Sequence, residues 1–379
     1  MSANIPPAVD ELEVSLFGPG YGEAIALHLG GGKWVLVDSC IDPIAKAPAS
    51  LHYLSRLGVD VAQAVKLIVA THWHDDHVRG ISTVFEKCRS AELVISTALS
   101  KDEFLYLISL YHSGIVMRSS GIDEFVDIFQ QLDKRKEQGV RFNAPKLALA
   151  DRVLFRDEIH MGTTTVEAKI SSLSPSDESI LQALLAFKDL FPHKLESKKR
   201  IASPLPNHAS VALWCAVGSS RILLGADLEC TSNPKTGWSV ILDDSSSLDK
   251  EASVFKVPHH GSKNAHYDGV WNRVLIQNPF AILTPYNRGS RSLPSSNDVS
   301  RITNLTPQAF LTALPATRQT KWRKKVVRDT VKQATKMIRN VHQGWGHIRL
   351  RKPINASNRT WKVELFGDAR SLSSLMDER

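Results

Sequence analysis

Three histidines and two aspartates fall within six residues of the stretch THWHDDHVRG, at His72, His74, Asp75, Asp76 and His77. The apolar run Val65-Lys66-Leu67-Ile68-Val69-Ala70 precedes them directly, so the cluster is expected on a loop at a strand end. Imidazole nitrogens and carboxylates at this density are metal-ligand chemistry. Two histidines spaced two apart can converge on one ion, while Asp76 and His77 point elsewhere and suit a second divalent cation.

Other candidate residues share that placement after apolar runs. Asp38 follows Trp34 to Val37, where it either orients a metal ligand or a water or serves as a turn residue. Asp227 ends RILLGADLE, and His259 and His260 lie on the loop after VFKVP. Strand, turn, strand and terminal Asp thus occur twice, which suggests two similar half-sandwiches.

The elements that must carry these loops read in order. Three short strands open the chain, LEVSLFG, EAIALHLG and KWVLVDSC, separated by glycine turns. Residues 44 to 57 read as a helix, ISTVFEKC as another, and ELVIS as a strand. Between about 97 and 145 lies a helical insertion whose aromatic residues Phe104, Tyr106, Tyr111, Phe125 and Phe129 are expected to pack as core or lid. A second insertion spans about 175 to 206 and starts with a Ser-x-x-Glu capping box; its KLESKKR run reads as an exposed connection. His28 and His160 read as ordinary strand or surface histidines.

Taken together, the HxHxDH run, the GAD strand end and the PHHG loop resemble the metallo-β-lactamase-fold hydrolases over roughly residues 12 to 315. The resemblance implies an αββα sandwich, with residues 1–315 as the hydrolase domain and 316–379 as a basic C-terminal extension of one helix and two strands. It implies two divalent metal ions, zinc first, with manganese or iron as alternatives. His72 and His74 would bind the first ion, Asp76 and His77 the second, and Asp227 would bridge them. A histidine of the PHHG loop, taken as His259, would complete the second site, and Asp38 would orient a ligand. Members of this family commonly supply a third histidine to the first metal from a Gly-His-Thr segment, which this chain lacks. Asn207-His208-Ala209-Ser210 stands at the corresponding place, so His208 is the candidate, with Asn207 or water as the alternative.

The order LSPS, N-x-x-S, GAD and V-P-H-H-G-S is most similar to the hydrolase domain of the competence protein ComEC/Rec2. A metal-dependent phosphodiesterase or nuclease follows as the leading expectation, with a hydroxide between the two cations as nucleophile. Asp76, besides binding metal, belongs to the catalytic set. Asp75 or His260 would move a proton, and Ser262 and Lys263 would hold a phosphate oxygen. Hydrolysis of a small ester, thioester or lactone is the alternative, and a metal-stabilised binding or scaffolding protein the alternative of another class.

Composition bounds these readings. With 42% hydrophobic residues the chain can bury a sizeable core, and 47 Lys+Arg against 39 Asp+Glu give a net charge of +8, which favours anionic partners and is compatible with nucleic acid or another phosphate-bearing substrate. No apolar window is long enough to span a membrane and no leader is evident, so a cytoplasmic location without membrane contact is expected. Whether a partner protein or a second copy is needed is left open. Cys40, Cys88, Cys215 and Cys230 form no C-x-x-C pair and are expected as buried thiols.

Overall fold

The computed structural model describes residues 4–19, 22–112, 120–138, 144–162, 164–191, 207–286, 292–315 and 344–377. Its first half contributes β1 (Glu11–Pro19), β2 (Ala24–His28), β3 (Trp34–Val37), β4 (Val65–Ala70), β5 (Glu92–Ser96) and β6 (Lys146–Ala148). Then follow β7 (Arg152–Met161), β8 (Thr164–Ser172), β9 (Leu213–Val217), β10 (Ser220–Leu224), β11 (Ala252–Lys256), β12 (Leu275–Leu283) and β13 (Ala309–Leu311). The chain closes with β14 (Trp345–Pro353), β15 (Lys362–Gly367) and β16 (Arg370–Ser371).

These form two eight-stranded sheets, ordered β15-β14-β1-β2-β3-β4-β5-β6 and β16-β13-β12-β11-β10-β9-β8-β7. Val14, Leu27, Val35 and Val69 of one sheet and Ile170, Cys215, Ile222 and Val254 of the other fill the space between them. Each such apolar side chain contributes about 1.5–3 kcal/mol when fully buried. Helices cover the outer faces: α1 (Ala49–Arg56) and α4 (Ile81–Lys87) on the first sheet, α8 (Gly237–Asp244) and α10 (Ser296–Leu305) on the second, with the short α2 (Val61–Ala64) leading into β4, α3 (Asp75–Val78) following it and α9 (Asp268–Arg273) leading into β12. The result is the αββα layering.

The insertion after β5 contains α5 (Asp102–His112) and α6 (Ser120–Glu137), and the second begins with α7 (Asp177–Asp189), whose Ser176 cap accepts from the Ser179 N–H; Glu178 stands two residues after the cap rather than three, so the expected capping box does not form. The KLESKKR run and the helix expected after Arg318 lie outside the described residues. Phe104 and Phe125 are fully buried in the insertion, but Tyr106 is 51% exposed, so the aromatic stripe is only partly core. His28 is a buried structural histidine, its Nδ1 on the Glu11 carbonyl and its Nε2 accepting the Gly32 N–H.

The sheets gather the candidate loops by their strand directions. β3, β4 and β5 run parallel in the first sheet, and β10, β11 and β12 run parallel in the second. Strands buried on both faces read as near-continuous apolar runs, as WVLV does and as ASVFK does apart from Ser253 and Lys256. Asp38, Thr71–His77, Asp227 and His259–His260 therefore all leave the carboxyl ends of parallel strands, the edge at which open α/β sheets bind ligands.

Candidate metal centre

Asp38 leaves β3 in the left-handed region (φ 58°), which turns its carboxylate back toward the loop after β4. There Oδ1 accepts the Thr71 N–H and Oδ2 accepts the Thr71 hydroxyl, both at 2.8 Å, while His77 Nδ1 donates to Oδ2 at 2.7 Å. Because a carboxylate only accepts, the proton of His77 sits on Nδ1 and Nε2 faces inward. With its own hydrogen given to Asp38, the Thr71 hydroxyl accepts from His72 Nδ1 at 2.9 Å, which leaves His72 Nε2 as the inward atom too. His260 repeats the device: its Nδ1 donates to the Thr284 carbonyl at 3.2 Å. One aspartate thus orients two imidazoles, and a backbone carbonyl orients a third.

The inward atoms converge. His77 Nε2 lies 3.2 Å from Asp227 Oδ1, His72 Nε2 3.9 Å from Asp227 Oδ2, and His260 Nε2 3.4 Å from Asp76 Oδ2 and 4.0 Å from Asp227 Oδ2. Asp76, His77, Asp227 and His260 offer ligand atoms all within 4.8 Å of one another. His74 sits beside them, its ring centroid 4.7 Å from that of His72.

Burial and charge set the protonation of this group. Burial opposes a charge on His77 and His260, yet Asp227, with Asp38 beside the first and Asp76 beside the second, holds both imidazoles above the ordinary histidine value. Burial lowers His72, and it brings His74 down to about 4. Asp227 is held well below the usual carboxylate range by His77 and His260 against the effect of its burial.

A divalent cation suits both the charge and the valences here. His72 Nε2, His77 Nε2, His260 Nε2 and Asp227 Oδ1 are buried and have no hydrogen-bond partner, a costly state for polar atoms unless something coordinates them. Nitrogen and carboxylate donors in this mixture match zinc and neighbouring first-row ions.

Several expected roles land elsewhere. His260, not His259, joins Asp76 and Asp227; His259 Nδ1 instead meets Asn264 Oδ1 at 3.2 Å and Glu229 Oε1 at 3.5 Å. Adjacent residues on a turn point in different directions, and only the second reaches the cluster. Asp75 turns one oxygen to the insertion: its Oδ1 accepts the Gly121 N–H at 2.7 Å, at the start of α6. Lys263 is exposed, and Ser262 lines a small separate cavity with Trp271 and Ile302. His208 is half-buried in a cleft with His72, Trp73, His74, Ala183, Phe187 and Asn207, but among the described residues it joins no close group of ligand atoms. Asn207 lines the same cleft, and its buried Oδ1 has no partner.

The sequence matches the Metallo-beta-lactamase superfamily over residues 18–268. The chain belongs to that superfamily. Solved structures similar to it include the metallo-beta-lactamase fold protein YhfI from Bacillus subtilis, 12% identical over 81% of this chain and 97% of that one, with a TM-score of 0.38. A B3 metallo-beta-lactamase with an active-site glutamic acid is 13% identical over 80% and 88%, with a TM-score of 0.34. Zn(2+)-bound PqqB from Methylobacterium extorquens is 12% identical over 53% and 51%, with a TM-score of 0.26. No curated protein matches the sequence.

Three charged residues around these side chains escape a motif reading. Glu229 is buried two residues after Asp227, accepts from Asn264 Nδ2 at 2.7 Å, and is raised by its burial despite His259. Glu23 and Lys256 are buried to 1% and 0% exposure behind the ligands. Their signals were a lysine inside the apolar strand ASVFK and a glutamate opening the run AIALH.

Proposed function

We propose that the chain is a metal-dependent phosphodiesterase acting on nucleic acid or nucleotides, akin to the stand-alone hydrolase domain of ComEC/Rec2-type proteins. The observation that carries the hydrolase part is the convergence of Asp76, His77, Asp227 and His260, with buried imidazole nitrogens and a carboxylate oxygen left without partners. The phosphodiester part is supported by the ordered motifs LSPS, N-x-x-S, GAD and VPHHGS and by the net charge of +8.

In this reading Asp76, His77, Asp227 and His260 would hold one cation, and His72, His74 and Asp227 would hold the other, with Asn207 lining the cleft beside His72 and His74. Bound divalent cations lower the pKa of water and offset the charge that builds on an attacked phosphoryl group. Asp38 keeps His77 and, through Thr71, His72 in the tautomers that leave Nε2 to bind. Trp73 and Phe187 wall one side of the cleft with apolar surface. His259, 17% exposed and backed by Glu229, is placed to hand a proton to a leaving oxygen. Zinc is the first candidate metal, with manganese and iron as alternatives.

The test combines metal analysis with turnover of bis-p-nitrophenyl phosphate, single-stranded and duplex DNA, RNA, cyclic nucleotides and lactones. Metal-dependent phosphodiester cleavage lost in His74→Ala and Asp227→Asn is the expected result. The apolar wall of Trp73, Ala183 and Phe187 favours a second reading, an acyl ester or lactone substrate, and turnover confined to lactones or esters would replace the first. Bound metal without turnover of any substrate would favour the scaffolding class instead.

A further inference from the structure

Glu23 and Lys256 form a fully buried ion pair, with Lys256 Nζ against Glu23 Oε1. Burying two charges costs several kcal/mol per ion after relaxation, and an apolar pair of the same volume is often as stable. Stability alone does not account for such a pair. It touches the surroundings of every ligand in the Asp76, His77, Asp227 and His260 group.

The Glu23 N–H donates to the Asp76 carbonyl at 2.9 Å, and Glu23 Oε1 lies 3.8 Å from His77 Nδ1. Glu23 Oε2 accepts the Thr284 hydroxyl, and the carbonyl of that same Thr284 fixes His260 Nδ1. Lys256 Nζ donates to the Ala226 carbonyl at 2.9 Å and stands 4.0 Å from Asp227 Oδ1. Ala226 itself sits at φ 43°, an uncommon conformation for alanine, and its carbonyl also accepts the His259 N–H at 3.1 Å. The lysine thereby pins the turn that aims Asp227 and ties it to the histidine loop.

Space is equally committed. A Cβ on Gly22 would come within 1.8 Å of the Asp76 carbonyl oxygen, so only glycine lets the Glu23 backbone approach the metal loop. Glu23, Asp38 and His77 could in principle hold a cation of their own. Lys256 already supplies a positive charge to that glutamate, and Asp38 already binds His77 Nδ1.

We propose that Glu23, with Lys256, is the positioning residue of the second cation position: its carboxylate lies beside His77 and reaches His260 through Thr284, its backbone N–H holds the Asp76 carbonyl, and its partner Lys256 holds the turn before Asp227, all from the residue that precedes β2 in the opposite sheet from Asp227. The inference rests on reading those four residues as metal ligands. It makes Glu23 a determinant of metal affinity that never touches the metal.

The experiment is a Zn(II) and Co(II) titration against a chromophoric chelator, run on wild type, Glu23→Gln, Lys256→Met and the double variant. Each is also melted in excess chelator. Removing an orienting partner outside the ligands typically weakens metal binding about 10–100-fold, and that loss is expected for one of the two wild-type binding constants, with an altered Co(II) absorption band. The double variant, neutral and of similar volume, is expected to keep its metal-free melting temperature while still losing affinity, which a merely structural role would not produce. Activity of Glu23→Gln should recover in part as metal is raised. Should Glu23→Gln fail to fold, Thr284→Val, which removes only the hydroxyl donor, should weaken the same constant by up to about tenfold. Variants that bind with wild-type constants and spectra would overturn this inference alone. A wild type that binds no metal would bring down the ligand reading, and this inference with it.

Discussion

His259 and His260 stand next to each other on one turn, both in the left-handed region at φ 47° and 56°, yet their surroundings assign them different work. His260 faces Asp76 and Asp227, whereas His259 faces Glu229 and Asn264. His260→Ala should lower metal affinity by more than about a hundredfold, beyond the range of an orienting residue. His259→Ala should keep the metal and lose about 10²–10⁴ in kcat, the worth of a proton-transfer group. Metal analysis beside steady-state kinetics separates the two. A second expectation follows from the protonation of the metal-free site. His77 and His260 sit above the ordinary value of 6.5, so the stability they contribute is full below that pH and fades as pH rises through their folded values. His72 and His74 sit below 6.5, so theirs is full above it and fades as pH falls. The chelated protein should therefore melt highest near pH 6.5. A bound cation displaces the protons of His77 and His260, so added zinc should raise the melting temperature more at pH 8 than at pH 6. Melting curves from pH 5 to 8.5, with and without chelator, check both limbs. The ligand types were legible in the sequence because three histidines and two aspartates stand in six residues; which of two adjacent histidines faces inward depends on backbone angles that no spacing records.

At the scale of elements, the helical insertion braces the metal loop rather than standing apart from it. Glu124 of α6 accepts the Gly80 and Ser82 N–H groups and the Ser82 hydroxyl, capping α4 from outside its own chain segment. Asp75 accepts the Gly121 N–H, Gln131 donates to the Ser82 carbonyl, and Arg135 reaches the Phe85 carbonyl while its guanidinium lies 4.1 Å from the Phe85 ring centroid. Glu124→Ala should destabilise the fold by about 1.5–3 kcal/mol, the scale of lost hydrogen bonds to a charged group, with the denaturant slope unchanged. Because α4 follows the His77 turn, the same variant should also bind metal less tightly than Glu124→Gln. Unfolding in urea and the chelator titration give the two readings. The strands of this site were readable from apolar runs such as VKLIVA and ELVIS, and the helices from their periodicity. Long-range pairing was not: nothing local tells GHIRLRK to lie between β1 and β15, where it completes the first sheet more than 300 residues after β1.

For the whole molecule, that placement changes what the basic composition means. Arg349 is paired with Glu364, Arg351 with Glu13, and Lys352 donates to the Ala356 carbonyl, all buried inside the fold. These cations are structural and cannot meet phosphate. Among the described residues no helix is long and apolar enough to cross a membrane. If the substrate is nucleic acid, binding must draw on cations outside these internal pairs, and the densest run is KWRKK at 321–325, which lies outside the described residues. Each phosphate contact contributes about 0.9 to the slope of log affinity against log salt on duplex DNA and about 0.7 on a single strand. Replacing Arg323, Lys324 and Lys325 by Gln should therefore reduce that slope by about 2–3 while leaving bis-p-nitrophenyl phosphate turnover unchanged, since the small substrate needs only the metal centre. Replacing Arg349 or Arg351 should instead cost stability and leave the slope alone. Binding of labelled DNA from 50 to 200 mM salt measures both, and a wild type with no slope would leave the metal centre as a hydrolase site serving small molecules.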